Sequence, residues 1–183
     1  MALLTLEEAK AQLDITTTTH DTELQSYVDA LTPIIERYVG PVENRTVTET
    51  LDSRGLTLAV TQVPCVSLTS VSPILSGSVA VDTTDLDFDT TAGIIRRRDG
   101  SFFSGGPWSV VYVAGRGSVP ATINVAARIL LQHLWRTQYG AARGGSGGGD
   151  DFDVNEPVVG WGYAIPNRVL QMLEGYKVPP GVA

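Results

Sequence analysis

The sequence predicts an α+β fold: a helical bundle of about four helices with an antiparallel β lobe inserted between the second and third long helices. Three observations predict it. Residues 1–45 and 118–176 space their apolar side chains at steps of three and four, the period of a helix with one buried face. Residues 46–117 alternate at period two and are rich in Thr, Val, Ser and Gly. Gly, Ser and Pro cut that middle zone into short runs, as turns cut an antiparallel sheet, sandwich or small barrel. The 183 residues have room for one ordinary domain, or one domain with an inserted lobe.

The elements follow in order. Thr5 to Leu13 reads as a short helix, opened by the capping-box pair Thr5 and Glu8 and stopped by four consecutive threonines, Thr16 to Thr19. Asp21 or Thr22 is the expected cap of a second, longer helix with the stripe Leu24, Tyr27, Val28, Leu31, Ile34, Ile35 and Tyr38. Gly40-Pro41 ends it, and Pro33 inside it should kink or split it. Residues 45–51 and 56–60 read as the two strands of a hairpin turning at Asp52–Gly55. Further strands are expected at 66–71, 79–81, 86–88, 93–96 and 109–114. Pro120 opens a central helix with the widest stripe, Ile123, Ala126, Ala127, Leu130, Leu131, Leu134 and Trp135; Leu130, Leu134 and Trp135 are expected in the bundle core. Residues 140–160 hold a Gly-rich flexible linker. Pro166 starts a last helix with Val169, Leu170 and Leu173, Gly175 ends it, and residues 178–181 form an extended arm. Trp161 and Tyr163, set between glycines, either anchor that arm on a partner or pack back on the domain.

Composition excludes several classes. An apolar fraction of 43% against a charged fraction of 18% is incompatible with disorder throughout. The net charge of −7 disfavours a tight grip on a phosphate backbone. One cysteine, Cys65, permits no internal disulfide. The first residues do not read as a secretory signal, and no apolar run approaches membrane-spanning length.

Catalytic patterns are equally sparse. His133 reads as a packed helix residue, His20 as a loop residue and Cys65 as a buried structural thiol. Asp85, Asp87 and Asp89 match the opening of a calcium loop. The loop's glycine falls on Thr90 and its bidentate glutamate on Arg96, so these acids read as the wet face of a strand with Leu86 and Phe88 inward. Gly115-Arg116-Gly117 has Pro120 where a dinucleotide loop has its third glycine, and reads as a plain strand-to-helix connection. Arg96, Arg97 and Arg98 form the one basic cluster, with Arg96 and Arg98 on one strand face. Without interleaved aromatic residues, charge pairing or solvation is favoured over nucleic acid. No cofactor, metal or catalytic residue is expected.

The order of the pieces resembles the head–tail connector, or adaptor, proteins of long-tailed bacteriophages. The resemblance is carried by Leu4 to Leu13, Asp21 to Leu24 and Ile35 to Gly40. It continues with Val71, Gly77, residues 85–89 and 92–96, Trp108, and Val111 to Gly115. Val119-Pro120 and Ile165 to Leu170, with Leu173 and Tyr176, complete it. The insert of about seventy residues makes this an insert-bearing version. The resemblance implies a structural virion protein at the head–tail interface, made in the host bacterial cytoplasm. It implies a homo-oligomeric ring of twelve under the portal protein, joined on its other side to the next head-completion or tail protein. Double-stranded DNA passes through the lumen without specific binding, and no membrane is involved. The expected organisation is a helical connector domain, 1–45 plus 118–183, and an inserted β-rich lobe, 46–117. Tyr176, Lys177, Val178, Pro179 and Pro180 are the expected portal contact. Asp85, Asp87 and Asp89 with Arg96, Arg97 and Arg98 are the expected inter-subunit charge contact. The alternatives are a virion-associated β-rich binding module, for example for host-surface carbohydrate with Trp108 as its aromatic, or another head-completion protein such as the stopper.

Overall fold

The computed structural model describes residues 3–52, 55–75, 79–139 and 165–178. Among them the chain is α+β, in the order α1 (Leu6–Gln12), α2 (Asp21–Val39), β1 (Arg45–Leu51), β2 (Thr57–Ala59), β3 (Cys65–Pro73), β4 (Leu86–Asp89), β5 (Ile94–Arg97), β6 (Trp108–Ala114), α3 (Ala121–Tyr139) and α4 (Asn167–Leu173). Two compact units result: a helical one from the described residues within 2–35 and 120–175, and a β-rich one from those within 36–119 and 176–183.

In the helical unit α1 is too short to persist on its own, so caps and tethers hold it. Thr5 Oγ1 accepts from the Glu8 amide at 3.2 Å and Glu8 Oε2 accepts from the Thr5 amide at 2.9 Å, the expected reciprocal box. Glu8 Oε1 also accepts from Arg128 Nη2 at 2.6 Å, tying α1 to α3. The Thr5 hydrogen bonds, then the Arg128 charge, hold the Glu8 carboxyl below its ordinary pKa. Lys10 Nζ donates to Asp21 Oδ1 at 2.8 Å, tying α1 to the start of α2.

The buried positions of α2 are Leu24, Val28, Leu31, Ile35 and Val39. Val39, not the expected Tyr38, closes the stripe; Tyr38 is 37% exposed. Pro33 does not split the helix, which runs unbroken from Asp21 to Val39. It lies on the exposed side, where the carbonyl four residues earlier, on exposed Asp29, can turn to water. In α3, Ile123, Ala126, Ala127, Leu130 and Leu131 are buried. Leu134 and Trp135 are only half-buried, so of the expected core trio Leu130 alone is interior. Trp135 sits edge-on to Tyr27 and His20, each with ring centroids 5.8 Å away. Pro166 caps α4, Val169 and Leu173 are buried, and the chain continues through Gly175 in a 3-10 turn, Glu174–Tyr176, rather than ending there.

The β-rich unit is two three-stranded antiparallel sheets, ordered β1-β6-β3 and β2-β5-β4. Residues 45–51 and 56–60 therefore do not form a hairpin. β1 pairs with β6 along its whole length, and β2 pairs with β5. Asp52–Gly55 contains no two-residue turn that forces a local return, so apolar matching decides: Val47 stands opposite Tyr112, and Leu58 opposite Ile95. The 79–81 segment makes only an isolated bridge, Val71 to Val81. Central β6 turns Trp108, Val110, Tyr112 and Ala114 inward in strict alternation. Leu58, Leu86 and Ile95 from the second sheet join them in one core. The phenol of Tyr112 donates to Glu49 Oε1 at 2.8 Å and accepts from the Gln62 amide at 3.2 Å. Burial, then the Glu49 carboxylate, pushes this phenol's pKa well above its ordinary value.

Candidate docking site

The residue types that carry chemistry are dispersed. His133 lies mid-helix on α3 and half-buried. His20 Nδ1 is 3.6 Å from Glu23 Oε2. Cys65 is buried, its Sγ 3.3 Å from the Gln62 carbonyl, and burial pushes its thiol up to about 11. That is the structural thiol its sequence context suggests. Among the described residues no group of three His, Cys, Asp or Glu side chains converges to hold a metal ion.

The acidic and basic clusters turn out to share one hairpin, β4–β5, with Asp87 opposite Arg96. Asp85 ends the 3-10 turn before β4. Leu86 is buried and Phe88 packs on the core, so the expected wet and dry faces are found. Asp89 accepts the amides of Thr91 and Ala92, each at 3.0 Å, capping the turn between the strands. These bonds hold its carboxyl below the ordinary range. The three arginines diverge. Arg96 is exposed. Arg97 lies over the Phe103 ring at 5.7 Å and donates to Ser101 Oγ at 2.8 Å. Arg98 falls beyond β5 and its Nε donates to the Leu86 carbonyl at 3.0 Å, so it does not share a strand face with Arg96. A cleft of about 410 Å³ lies among Val81, Asp85, Arg97, Arg98 and Asp99.

The most specific construction surrounds Arg116, a residue that the sequence places only in a plain strand-to-helix connection. Its Nη2 donates to two backbone carbonyls, Val39 at 2.7 Å and Tyr176 at 2.9 Å. Both carbonyls end helical segments, where the backbone is electron-rich and lacks internal donors. The guanidinium carbon stands 5.3 Å from the centroid of the Tyr176 ring. Burial lowers the Arg116 pKa from its ordinary value, and a guanidinium remains charged even so. Two glycines permit the close approach. Gly40 has φ +72°, and a Cβ there would lie 2.0 Å from the Val63 carbonyl oxygen and 2.8 Å from Val178 Cγ2. Gly115 has φ +136°, and a Cβ there would lie 2.5 Å from Asn44 Oδ1.

This clasp fixes where the C-terminal segment leaves the β-rich unit. Of the five residues expected to contact a portal, Tyr176 and Val178 are engaged with their own chain and Lys177 is exposed. Pro179 and Pro180 lie outside the described residues, as do the 140–160 linker, Trp161 and Tyr163. A shallow cleft of about 340 Å³ opens beside the clasp, lined by Cys65, Thr90, Thr91 and Gly115 to Gly117 among others. It brings no nucleophile together with a base.

The sequence pattern of the head completion protein (HCP) family matches residues 2–178. The chain belongs to that family. The resemblance carried by the sequence is thereby borne out, and a head completion protein is a structural part of the virion at its head–tail junction. Solved structures share the fold. A chain from the "neck of empty GTA particle computed with C6 symmetry" aligns with TM-score 0.62 and 17% identity, over 97% of this chain and 91% of its own. One from the "neck of native GTA particle computed with C12 symmetry" aligns with TM-score 0.59 and 16% identity, over 94% and 88%. No curated protein matches the sequence.

Proposed function

We propose that this head completion protein is the adaptor of the head–tail junction: a ring of twelve copies beneath the portal protein, linking the capsid to the next completion or tail protein, with DNA passing through the lumen. The observation that carries the reading is the family match across residues 2–178, which takes in both units and the clasped C-terminal segment. The likeness to neck chains, one of them from a particle treated with twelvefold symmetry, supports the ring. The charge of −7 supports a lumen past which a polyanion slides rather than sticks. The portal contact begins at exposed Lys177 and continues into Pro179 and Pro180, with Tyr176 and Val178 as the fixed root. Exposed Asp85, Asp87, Asp89, Arg96 and Arg98 offer charges of both signs to neighbouring subunits, as a heterologous ring contact requires, and Arg97 supports them from within. Intact rings after charge reversal of Arg96 to Arg98 would remove that set from the interface.

The carbohydrate-binding reading loses its aromatic, because Trp108 is buried in the core. The experiment is quantitative mass spectrometry of purified particles, with cross-linking. A one-to-one ratio to portal subunits and direct cross-links to the portal support the adaptor. The same ratio with cross-links only to another completion protein identifies a stopper instead. A copy number that follows the capsid or fibres rejects both.

A further inference from the structure

One side chain holds two segments that are remote in sequence. The chain enters the β-rich unit at residue 36, leaves it after residue 119 and re-enters it at residue 176. Arg116 stands just before the second crossing. Its two carbonyl partners stand just inside the other two, Val39 after the first and Tyr176 at the third. A single nitrogen, Nη2, serves both carbonyls. Its two protons lie in the guanidinium plane at a fixed angle, so seating one bond sets the direction of the other. Arg116 Nε is buried with no acceptor among the described residues, and no carboxylate there pairs with the guanidinium. Releasing one carbonyl therefore leaves a half-buried cation dependent on the other, a costly half-way state.

The contacts run on from the end of α2 into the first sheet. The Gly40 amide donates to the Glu36 carbonyl at 2.8 Å. Glu36 Oε1 accepts from the Val42 amide at 2.8 Å, and Oε2 accepts from Arg45 Nη1 at 2.7 Å. Arg45 is the first residue of β1, and its Nε donates to Gln62 Oε1 at 3.1 Å. The Val63 carbonyl and Val178 Cγ2 both crowd the Cβ position of Gly40. All of these groups belong to the β-rich unit.

We infer that Arg116 is a coupling residue: it makes the seating of the C-terminal segment and the fixing of residues 39–45 one cooperative event. The closed state has Nη2 on both carbonyls, and the open state has neither. Whatever holds Tyr176 in place favours the closed state and thereby fixes the end of α2. By reciprocity, a partner gripping residues 39–45 also secures the C-terminal segment. The coupling has a contiguous hydrogen-bonded route and a two-state element that both segments bias. Under the adaptor reading, on which this consequence rests, the holder is the portal protein, and its docking is registered at the start of β1.

The test is amide exchange followed by NMR on the full chain alone, in wild type, Arg116→Ala, Tyr176→Gly and the double variant. The Gly40 and Val42 amides are the readout. The Val81 amide, which donates to the Val71 carbonyl at 3.1 Å, reports the general fold. Gly40 and Val42 should exchange at least about fivefold faster in Arg116→Ala, the low end of an ordinary coupling. They should also exchange faster in Tyr176→Gly, and with Arg116 already removed Tyr176→Gly should add nothing. Arg116→Lys, which keeps the charge but not the fork, should fall between wild type and Arg116→Ala. Val81 should not change in any of them. Wild-type exchange at Gly40 and Val42 in Tyr176→Gly overturns the inference. So does an equal acceleration by Tyr176→Gly with and without Arg116, which makes the two holds independent. Acceleration at Val81 matching that at Gly40, in Arg116→Lys as well as Arg116→Ala, also overturns it, because it reports loss of the fold in place of a local coupling. No portal protein takes part, so failure of the adaptor reading is read separately, from a wild-type chain that does not match the portal in copy number.

Discussion

Replacing Arg116 with Ala should free the C-terminal segment without unfolding the β-rich unit. The guanidinium makes two hydrogen bonds to carbonyls, at 2.7 and 2.9 Å, and stacks on Tyr176. A hydrogen bond with a charged partner contributes about 1.5–3 kcal/mol, and a partly exposed cation–π contact about 0.5–1 kcal/mol. Against these stand the desolvation of a half-buried cation, the cause of its lowered pKa, and water's access to the released carbonyls. A net loss of about 2 kcal/mol in the closed state raises the open population roughly thirtyfold, since about 1.4 kcal/mol is a factor of ten. Lys177 supplies the readout, because trypsin cleaves after it and cleavage follows the open population when closing is fast. Mass spectrometry should show cleavage after Lys177 accelerated about thirtyfold in Arg116→Ala, with cleavage after Arg96 unchanged. Arg116→Lys should fall between, because one ammonium cannot both reach two carbonyls and stack flat on the ring. Cleavage of Arg116→Ala at the wild-type rate would refute the clasp.

Gly40→Ala should destabilise the β-rich unit by about 3 kcal/mol or more, since it combines a positive φ with a Cβ placed against the Val63 carbonyl; a clearly lowered thermal midpoint is the check. Tyr112→Phe should cost about 1–2 kcal/mol in urea unfolding, because it leaves the Gln62 amide and Glu49 without their shared partner. Cys65 sets an alkaline limit. Its folded pKa of about 11 lies above the ordinary 9.0, so its contribution is complete below about pH 9 and is lost as pH rises toward 11. Unfolding midpoints should fall across that window in the parent and fall less in Cys65→Ala, with iodoacetamide labelling of the folded chain slow at pH 8.

Local signals were legible where one residue type dictates one geometry. The Thr5 and Glu8 box, the start of α3 after Pro120, the alternation of β6 and the inward Leu86 and Phe88 were all readable, because a cap or a periodicity fixes them within a few residues. Pairing was not. Nothing near Leu51 announces Trp108 as its neighbour, and the adjacency of 45–51 and 56–60 suggested a hairpin that the apolar match of Leu58 with Ile95 overrides. Tyr38 and Val39 differ by a single helical step, too fine for an apolar count to resolve. The clasp was the least visible feature. An arginine between two glycines has no motif, and its meaning depends on carbonyls 77 and 60 residues away. A charged residue held between glycines beyond a buried strand was the only available hint.

That separation has a consequence for the order in which the protein is made. Synthesis runs from the N-terminus, and domains assemble as their residues emerge. The six strands of the described residues and Arg116 itself have left the ribosome well before Tyr176 does. The β-rich unit can therefore bury its core while Arg116 still faces water. Its second carbonyl and its ring arrive only after α3 and α4 have been translated. A prematurely terminated chain would carry both sheets and an unfilled clasp. The segment proposed to meet the portal is thus rooted only on polypeptides synthesised past Tyr176, which makes translation of α3 and α4 a condition for docking rather than a separate checkpoint.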